Sequence, residues 1–404
     1  MLLKIMNLYL KLSWVKKMSE IKFDVPFNGD LEILDVFKEF RSSIEMVYGR
    51  AEDGFPQGRN TTKRKPITLD DISTLIEGLK DLGIKFNYIL NGISHQNKEF
   101  DPVYRKTFVK MVRDVADRGA DIVTIGNPFL MEVVKDKIPN IEIAASVILE
   151  PDNLTRVKQL SKAGAKYICL SKVLLKNFDG LKNIIENFPK DSEPLLLAND
   201  PCLHHCALTQ YHNIILSNFS MNPESTYTNY CRLHCTQDFA YDPRKVISAS
   251  FIRPEDVSIY AGMGFNLFKL CDRKQTTDWL RNVFEAYVSG TFDGNLSDLM
   301  APWSNIGDQY PFPSELSQDD FETNEIQVLR SNLRFSPHID NRSLDGYLSF
   351  WQTEKSAGCA NEECNACNYC GTIANKAYDI DKERNRIVVQ NTEQALKHTR
   401  GIGE

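Results

Sequence analysis

Short apolar runs alternate along the chain with longer stretches whose apolar positions recur every three to four residues. The short runs are Ile21–Pro26, Ile44–Tyr48, Phe86–Leu90, Ile122–Ile125, Ile141–Val147, Tyr167–Leu170, Leu195–Leu197, Val246–Phe251 and Leu267–Cys271. Their length and content of β-branched and aromatic residues predict strands. The longer stretches, among them Thr68–Leu82, Tyr104–Arg118, Asn153–Ala163 and Thr276–Val288, predict amphipathic helices. The repeating unit is plainest at Ile141–Leu170. There a strand leads into a helix ending at Ala163, and Gly164 stands where that helix should stop. Such alternation predicts a parallel sheet with helices outside it. Eight or nine repeats predict an α/β fold with a (β/α)8-barrel-like core, the alternative being an open, doubly wound sheet.

From Ala301 to about Asp345 the alternation stops. Pro302, Pro311 and Pro313 punctuate a stretch rich in Ser, Asp, Glu and Asn, which predicts a surface linker over 301–345. A small C-terminal cysteine-rich module then occupies 346–404, trailing off from Lys382 as a charged tail. At the other end, Met1–Lys17 is amphipathic and interrupted by Lys4, Lys11, Lys16 and Lys17. It lacks a small-residue cleavage site. It therefore reads as a dispensable or surface-lying extension of a barrel domain spanning 18–300, and not as a secretory signal.

The 404 residues suffice for one domain of roughly 250–300 residues plus an appendage. Hydrophobic content of 42% and charged content of 25% are those of a globular protein. The net charge of −6 disfavours a sequence-independent grip on a nucleic-acid backbone. The longest apolar runs are strand-sized, so no transmembrane helix is expected. A cytoplasmic location is expected, where cysteines stay reduced and available to metals.

Eight of the ten cysteines fall into two groups of four. Cys202 and Cys206 are separated by three residues, as are Cys231 and Cys235. The first pair follows the apolar run at Leu195–Leu197, at a strand end, where a barrel builds its active site. Cys359, Cys364, Cys367 and Cys370 lie within twelve residues, the last three at two-residue gaps like those of bacterial ferredoxins. Four thiolates make a full ligand set for a [4Fe–4S] cluster or a structural zinc. One or two clusters are expected, with zinc the alternative, above all at the C-terminal group. That group would deliver electrons to the barrel site or pin the chain end. His204, His205, His212 and His234 cluster around the first group as candidate ligands, proton donors or orienters, His212 foremost, or else as ordinary loop residues. Cys169 and Cys271 sit alone in apolar runs. The loop Gly49–Pro66, with Arg59, Lys63, Arg64 and Lys65, is a candidate ligand loop or a solvated one.

Two motifs resemble the peptidase U32 family, also called collagenase-like proteases. One is Asn229-Tyr-Cys-Arg-Leu-His-Cys235, similar to that family's second cysteine pair. The other runs from Phe251-Ile-Arg-Pro-Glu-Asp-Val through Gly264-Phe-Asn-Leu-Phe-Lys-Leu-Cys-Asp-Arg273 to the helix at Trp279–Tyr287. It resembles the family's strand ending in Lys-Ile-Glu-Gly-Arg. Lys269 and Arg273 match, whereas Cys271 and Asp272 stand where the family has Glu and Gly. Ala144–Leu170 resembles the family's βαβ unit. The likeness covers Ile21–Gly290. The first cysteine pair departs from it, with a three-residue gap where better-known members have six.

The resemblance implies a barrel-like core with a [4Fe–4S] cluster on Cys202, Cys206, Cys231 and Cys235. Several members resemble oxygen-independent hydroxylases of tRNA or ribosomal RNA bases, or of the quinone ring. The expected function is thus an iron–sulfur redox enzyme acting on an RNA or small-molecule substrate. His212, Lys269 and Arg273 are the candidate catalytic or anion-binding residues. A peptidase is the second reading, although no Ser/His/Asp arrangement or zinc-protease motif supports it and only Cys169 or Cys271 remains as nucleophile. The third is a scaffold or electron-transfer subunit that works with an electron donor or a paired U32-type protein.

Overall fold

Eight parallel strands close on themselves in sequence order, β1 pairing with β8. They are β1 (Lys22–Pro26), β2 (Ile44–Gly49), β3 (Lys85–Leu90), β4 (Ile122–Ile125), β5 (Glu142–Ala145), β6 (Ala165–Cys169), β7 (Glu193–Leu197) and β8 (Leu267–Lys269). The computed structural model describes residues 20–58, 66–221, 230–300, 303, 335–359 and 364–400. The extension at 1–17 and the basic residues Arg59, Lys63, Arg64 and Lys65 lie outside the described residues.

The first six helices are α1 (Ile33–Glu39), α2 (Leu69–Leu82), α3 (Pro102–Asp117), α4 (Pro128–Lys137), α5 (Leu154–Lys162) and α6 (Phe178–Glu186), each following the strand before it. Local chemistry fixes their starts. Thr68 and Asp71 form a reciprocal capping box on α2. The Asp101 carboxylate accepts from the amides of Val103 and Tyr104, with Pro102 in the first turn of α3. After α5 the chain turns through Gly164 at φ +109°, a conformation that costs a side-chain-bearing residue strain.

Eight strands, not nine, make the sheet. Val246–Phe251 is instead the end of a short helix followed by a turn. Pro243–Ser248 is helical because Asp242 caps it and Pro243 pre-sets its first turn. The register of β7 on β8 also leaves no gap for another strand. The long β7–β8 connection holds α7 (Thr209–Met221), α8 (Tyr230–Tyr241), α9 (Pro243–Ser248) and α10 (Val257–Met263).

After β8 come α11 (Thr277–Ser289), β9 (His338–Ile339), α12 (Ser349–Thr353), α13 (Cys364–Cys367), α14 (Tyr369–Ala377), β10 (Tyr378–Asp379) and α15 (Lys382–Thr399). The described part of the expected linker is packed. Trp303, Phe335, Ile339 and Leu344 are buried in the same core as the barrel helices, and β9 pairs antiparallel with β10. The expected charged tail is a helix, α15, whose Ala395 and Leu396 pack on Leu233 of α8. No helix among the described residues is long and apolar enough to cross a membrane.

Arg253 ties the C-terminal segment to the barrel. It is 1% exposed, grips Asp256 through two nitrogens at 2.8 and 3.0 Å, and donates to the Asn341 carbonyl at 2.7 Å. Burial and the Arg253 guanidinium act on Asp256 in opposite directions, so the pair stands or falls together. Arg253→Met should lower the unfolding free energy by about 3–5 kcal/mol in urea denaturation, because it strands a buried carboxylate.

Candidate functional site

The first cysteine group is anchored where β7 leaves the barrel. The Ala198 amide donates to the Lys269 carbonyl at 2.9 Å. The Asn199 side chain is satisfied at both ends. Its nitrogen donates to the carbonyls of Cys271 (2.7 Å) and Leu299 (3.0 Å), and its oxygen accepts from the Cys271 amide (2.7 Å). The Cys202 carbonyl accepts from the Ser250 amide at 3.0 Å. The Thr209 hydroxyl donates to the Cys206 carbonyl at 2.9 Å as α7 begins.

From there α7 crosses the strand C-terminal mouth. Its Ser220 hydroxyl accepts from the Gln57 amide (2.9 Å), and its Ser217 hydroxyl from the Ile93 amide (3.0 Å). The Ser94 hydroxyl donates to Asn218 at 3.0 Å. These partners sit on the loops after β2 and β3, so the cysteine-bearing connection roofs the barrel. Helix α8 brings Cys231 and Cys235 back, braced by α15 through the Asn385 amide on the Ala240 carbonyl (2.8 Å).

The two cysteine groups, far apart in sequence, face one cavity of ≈ 420 Å³. Cys206 and Cys235 of the first group and Cys359, Cys364, Cys367 and Cys370 of the second line it together with His204, His205 and His234, whereas Cys202 and Cys231 are outside the lining. Cys231 is buried, Cys202 half-buried, and Cys364 and Cys367 are exposed. Burial pushes the Cys235 thiol up to about 12, and Cys202, Cys206 and Cys231 all add to the shift. Burial likewise pushes Cys370 up to about 12, opposed by Lys176 and reinforced by Cys359, Cys364 and Cys367.

Among the described residues, no three His, Cys, Asp or Glu side chains stand close enough to hold a single ion, so the sets are gathered but not closed. The donor chemistry still fits a soft metal or cluster. Neutral thiols crowded in a low dielectric give up their protons when a cation takes their place. Both ring nitrogens of His204 and one of His234 are buried without a hydrogen-bond partner, which adds nitrogen donors at the same cavity.

Lys269 and Arg273 take other places. The Lys269 ammonium pairs with the Asp24 carboxylate across the β1–β8 seam, where the two residues are in register. It also lies 3.4 Å from the centre of the Tyr48 ring. The Tyr48 hydroxyl donates to the Leu270 carbonyl at 2.9 Å and to the Cys271 sulfur at 3.6 Å. An internal carboxylate thus occupies the ammonium that the sequence offered to a substrate anion. Burial pushes the Asp24 carboxyl up, against the pull of Lys269. Cys169 faces the same interior, its thiol pushed up to about 12 by burial. Arg273 is buried beyond β8, and Lys172 pairs with Asp200 at 3.0 Å. His212 lies on α7, half-buried, outside the cavity lining. Asp24, Tyr48, Asn199, Lys176 and Trp351 are the residues that spacing did not single out. A charged residue inside an apolar run, as at Asp24 and Lys176, was the available signal.

A model of Peptidase family U32 matches residues 40–193, from the end of α1 into β7. Over that stretch the chain is similar to peptidase family U32. The match builds β2 to β6 and ends before the first clustered cysteine. A Methanocaldococcus jannaschii protein, named as an uncharacterized protease, is 23% identical over 368 residues, 89% of this chain and 99% of its own. The Haemophilus influenzae tRNA hydroxylation protein P is 27% identical over 237 residues, 56% of this chain and 48% of its own. A solved U32 peptidase superposes with a TM-score of 0.46 at 13% identity, over 62% of this chain and 93% of that one.

The Asp24–Lys269 pair makes a specific demand on stability. Lys269→Met should cost about 3–5 kcal/mol by leaving the Asp24 carboxylate buried and alone. Combining it with Asp24→Asn should cost less than the two single changes together in a denaturation double-mutant cycle.

Proposed function

We propose that this chain is an iron–sulfur redox enzyme that hydroxylates, or otherwise modifies, a nucleobase or small-molecule substrate without molecular oxygen. Cys202, Cys206, Cys231 and Cys235 would hold its [4Fe–4S] cluster. What supports the reading is the placement of Cys202 and Cys206 just after β7 and of Cys231 and Cys235 on α8, with Cys206 and Cys235 lining one cavity. The name of the Haemophilus influenzae relative supports the reaction class. The chemistry such a cluster supplies is one-electron transfer.

The chain's own residues do the rest. Asn199 fixes the loop that presents Cys202 to the barrel rim. Helix α7 separates the barrel interior from bulk water, and there the Asp24–Lys269 pair and Tyr48 form a preorganised polar floor. Lys172, half-buried and paired with the buried Asp200 at the same rim, would serve as a cation for an anionic substrate group.

A peptidase reading rests on the family name and on the name of the Methanocaldococcus jannaschii relative. It needs a thiolate nucleophile. The Cys169 thiol, buried and pushed up to about 12, is a poor one. Anaerobic purification with iron and acid-labile sulfide analysis tests the redox reading. About four of each should belong to the first group, and Cys206→Ala and Cys235→Ala should each lose them. A first group that holds zinc without labile sulfide would overturn the proposal.

A further inference from the structure

Beneath the C-terminal cysteine group lies a buried cation. Lys176 is 1% exposed and sits just after β6, in a turn of apolar residues. Its ammonium donates to the Ser248 carbonyl at 3.0 Å and to the Ala249 carbonyl. The rings of Phe251, Trp351 and Tyr347 surround it at 5.0, 5.2 and 5.9 Å. Carbonyls and ring faces solvate an ammonium but do not neutralise it.

The thiols of Cys370 and Cys359 and the carboxylate of Asp256 lie within electrostatic reach of this ammonium. Asp256 is already held by two nitrogens of Arg253. The cysteines are what remain. The segment bearing Cys359 is pressed against the lysine's own backbone. A Cβ at Gly358 would lie 3.5 Å from the Lys176 carbonyl oxygen, and Gly358 adopts φ +82°. The Trp351 indole N–H points to the Cys359 sulfur at 3.1 Å. Lys176 and the Trp351 N–H therefore both lie against the segment that bears Cys359, while Cys364 and Cys367 are exposed.

Four thiolates around either a zinc ion or a [4Fe–4S] core leave a net dianion, and both sources present that same charge to the protein. We propose that Cys359, Cys364, Cys367 and Cys370 form a tetrathiolate metal site for which Lys176 is the built-in counter-cation and Trp351 the donor that orients Cys359. Lys176 and Trp351 are positioning residues. Their role is to make a dianionic complex stable in a partly buried place, which goes beyond the reading given for Cys202 to Cys235.

The test uses the full-length chain, purified anaerobically. Metal and sulfide are counted in the wild type and in Cys364→Ala/Cys367→Ala, whose two positions are exposed. The difference is the content of this site, and iron with sulfide or zinc alone identifies the occupant. In Lys176→Met, the chelator concentration that strips this metal should fall about 10- to 100-fold. In Trp351→Phe it should fall in the same direction. If the occupant is a cluster, its EPR-monitored midpoint should also move to more negative potential in Lys176→Met, because the reduced form loses more by losing the cation.

Circular dichroism reports whether Lys176→Met has folded. If it has not, Trp351→Phe decides. Unchanged metal content in the double cysteine variant would overturn the proposal. So would folded Lys176→Met or Trp351→Phe chains that hold the metal as tightly as the wild type. Loss of iron only at the first group would leave this proposal standing, and a zinc-filled first group would sink only the redox reading.

Discussion

A carboxylate in the middle of the first strand meets an ammonium at the end of the eighth, across the seam where the barrel closes. Asp24 and Lys269 are in register, and the Leu270 amide donates to the Asp24 carbonyl at 2.9 Å just beyond them. Breaking one partner of a buried pair is costly, so this contact holds β8 to β1 more firmly than three residues of strand could alone. Much depends on that closure. The Ala198 amide pairs with the Lys269 carbonyl, Asn199 grips the backbone of Cys271, and the cysteine loop starts from Asn199. The seam therefore fixes where the first cysteine group begins.

The second dependence runs outward from the roof. Helix α8 carries Cys231 and Cys235, and it is braced by the last helix, α15. The chain between them supplies Cys359, Cys364, Cys367 and Cys370 to the lining of the same cavity. The aromatic layer of Phe251, Tyr347, Trp351 and Tyr369 joins barrel to C-terminal segment, with Phe350 stacked on Tyr369 at 4.0 Å. One layer of rings thus packs the core, encloses Lys176 and supports Cys359. Packing and chemistry share the same atoms here, which makes the C-terminal segment part of the site's wall.

The barrel was legible because strands buried on both faces read as apolar runs and because caps such as Thr68 and Asp101 mark helix starts. Val246–Phe251 misled because an apolar run of six serves a buried helix end as well as a strand, and Asp242-Pro243 was the cue that separates the two. The grouping of cysteines was legible from spacing. Their shared cavity was not, since it arises from tertiary contact between distant segments. The tail at Lys382–Thr399 hid its packing face because few apolar residues, Val388, Ala395 and Leu396 among them, are scattered through charged sequence. Lys269 read as a ligand for an anion, and it is one, but the anion is the protein's own Asp24.

The central proposal is that the two four-cysteine groups each hold metal, with members of both lining one cavity. Diffraction from anaerobically grown crystals, recorded on both sides of the iron absorption edge, tests it most directly. The account predicts an iron anomalous peak among Cys202, Cys206, Cys231 and Cys235, and a second metal peak among Cys359, Cys364, Cys367 and Cys370. A map with no iron peak at the first group, or with the second group's sulfurs turned away from any metal, would contradict it.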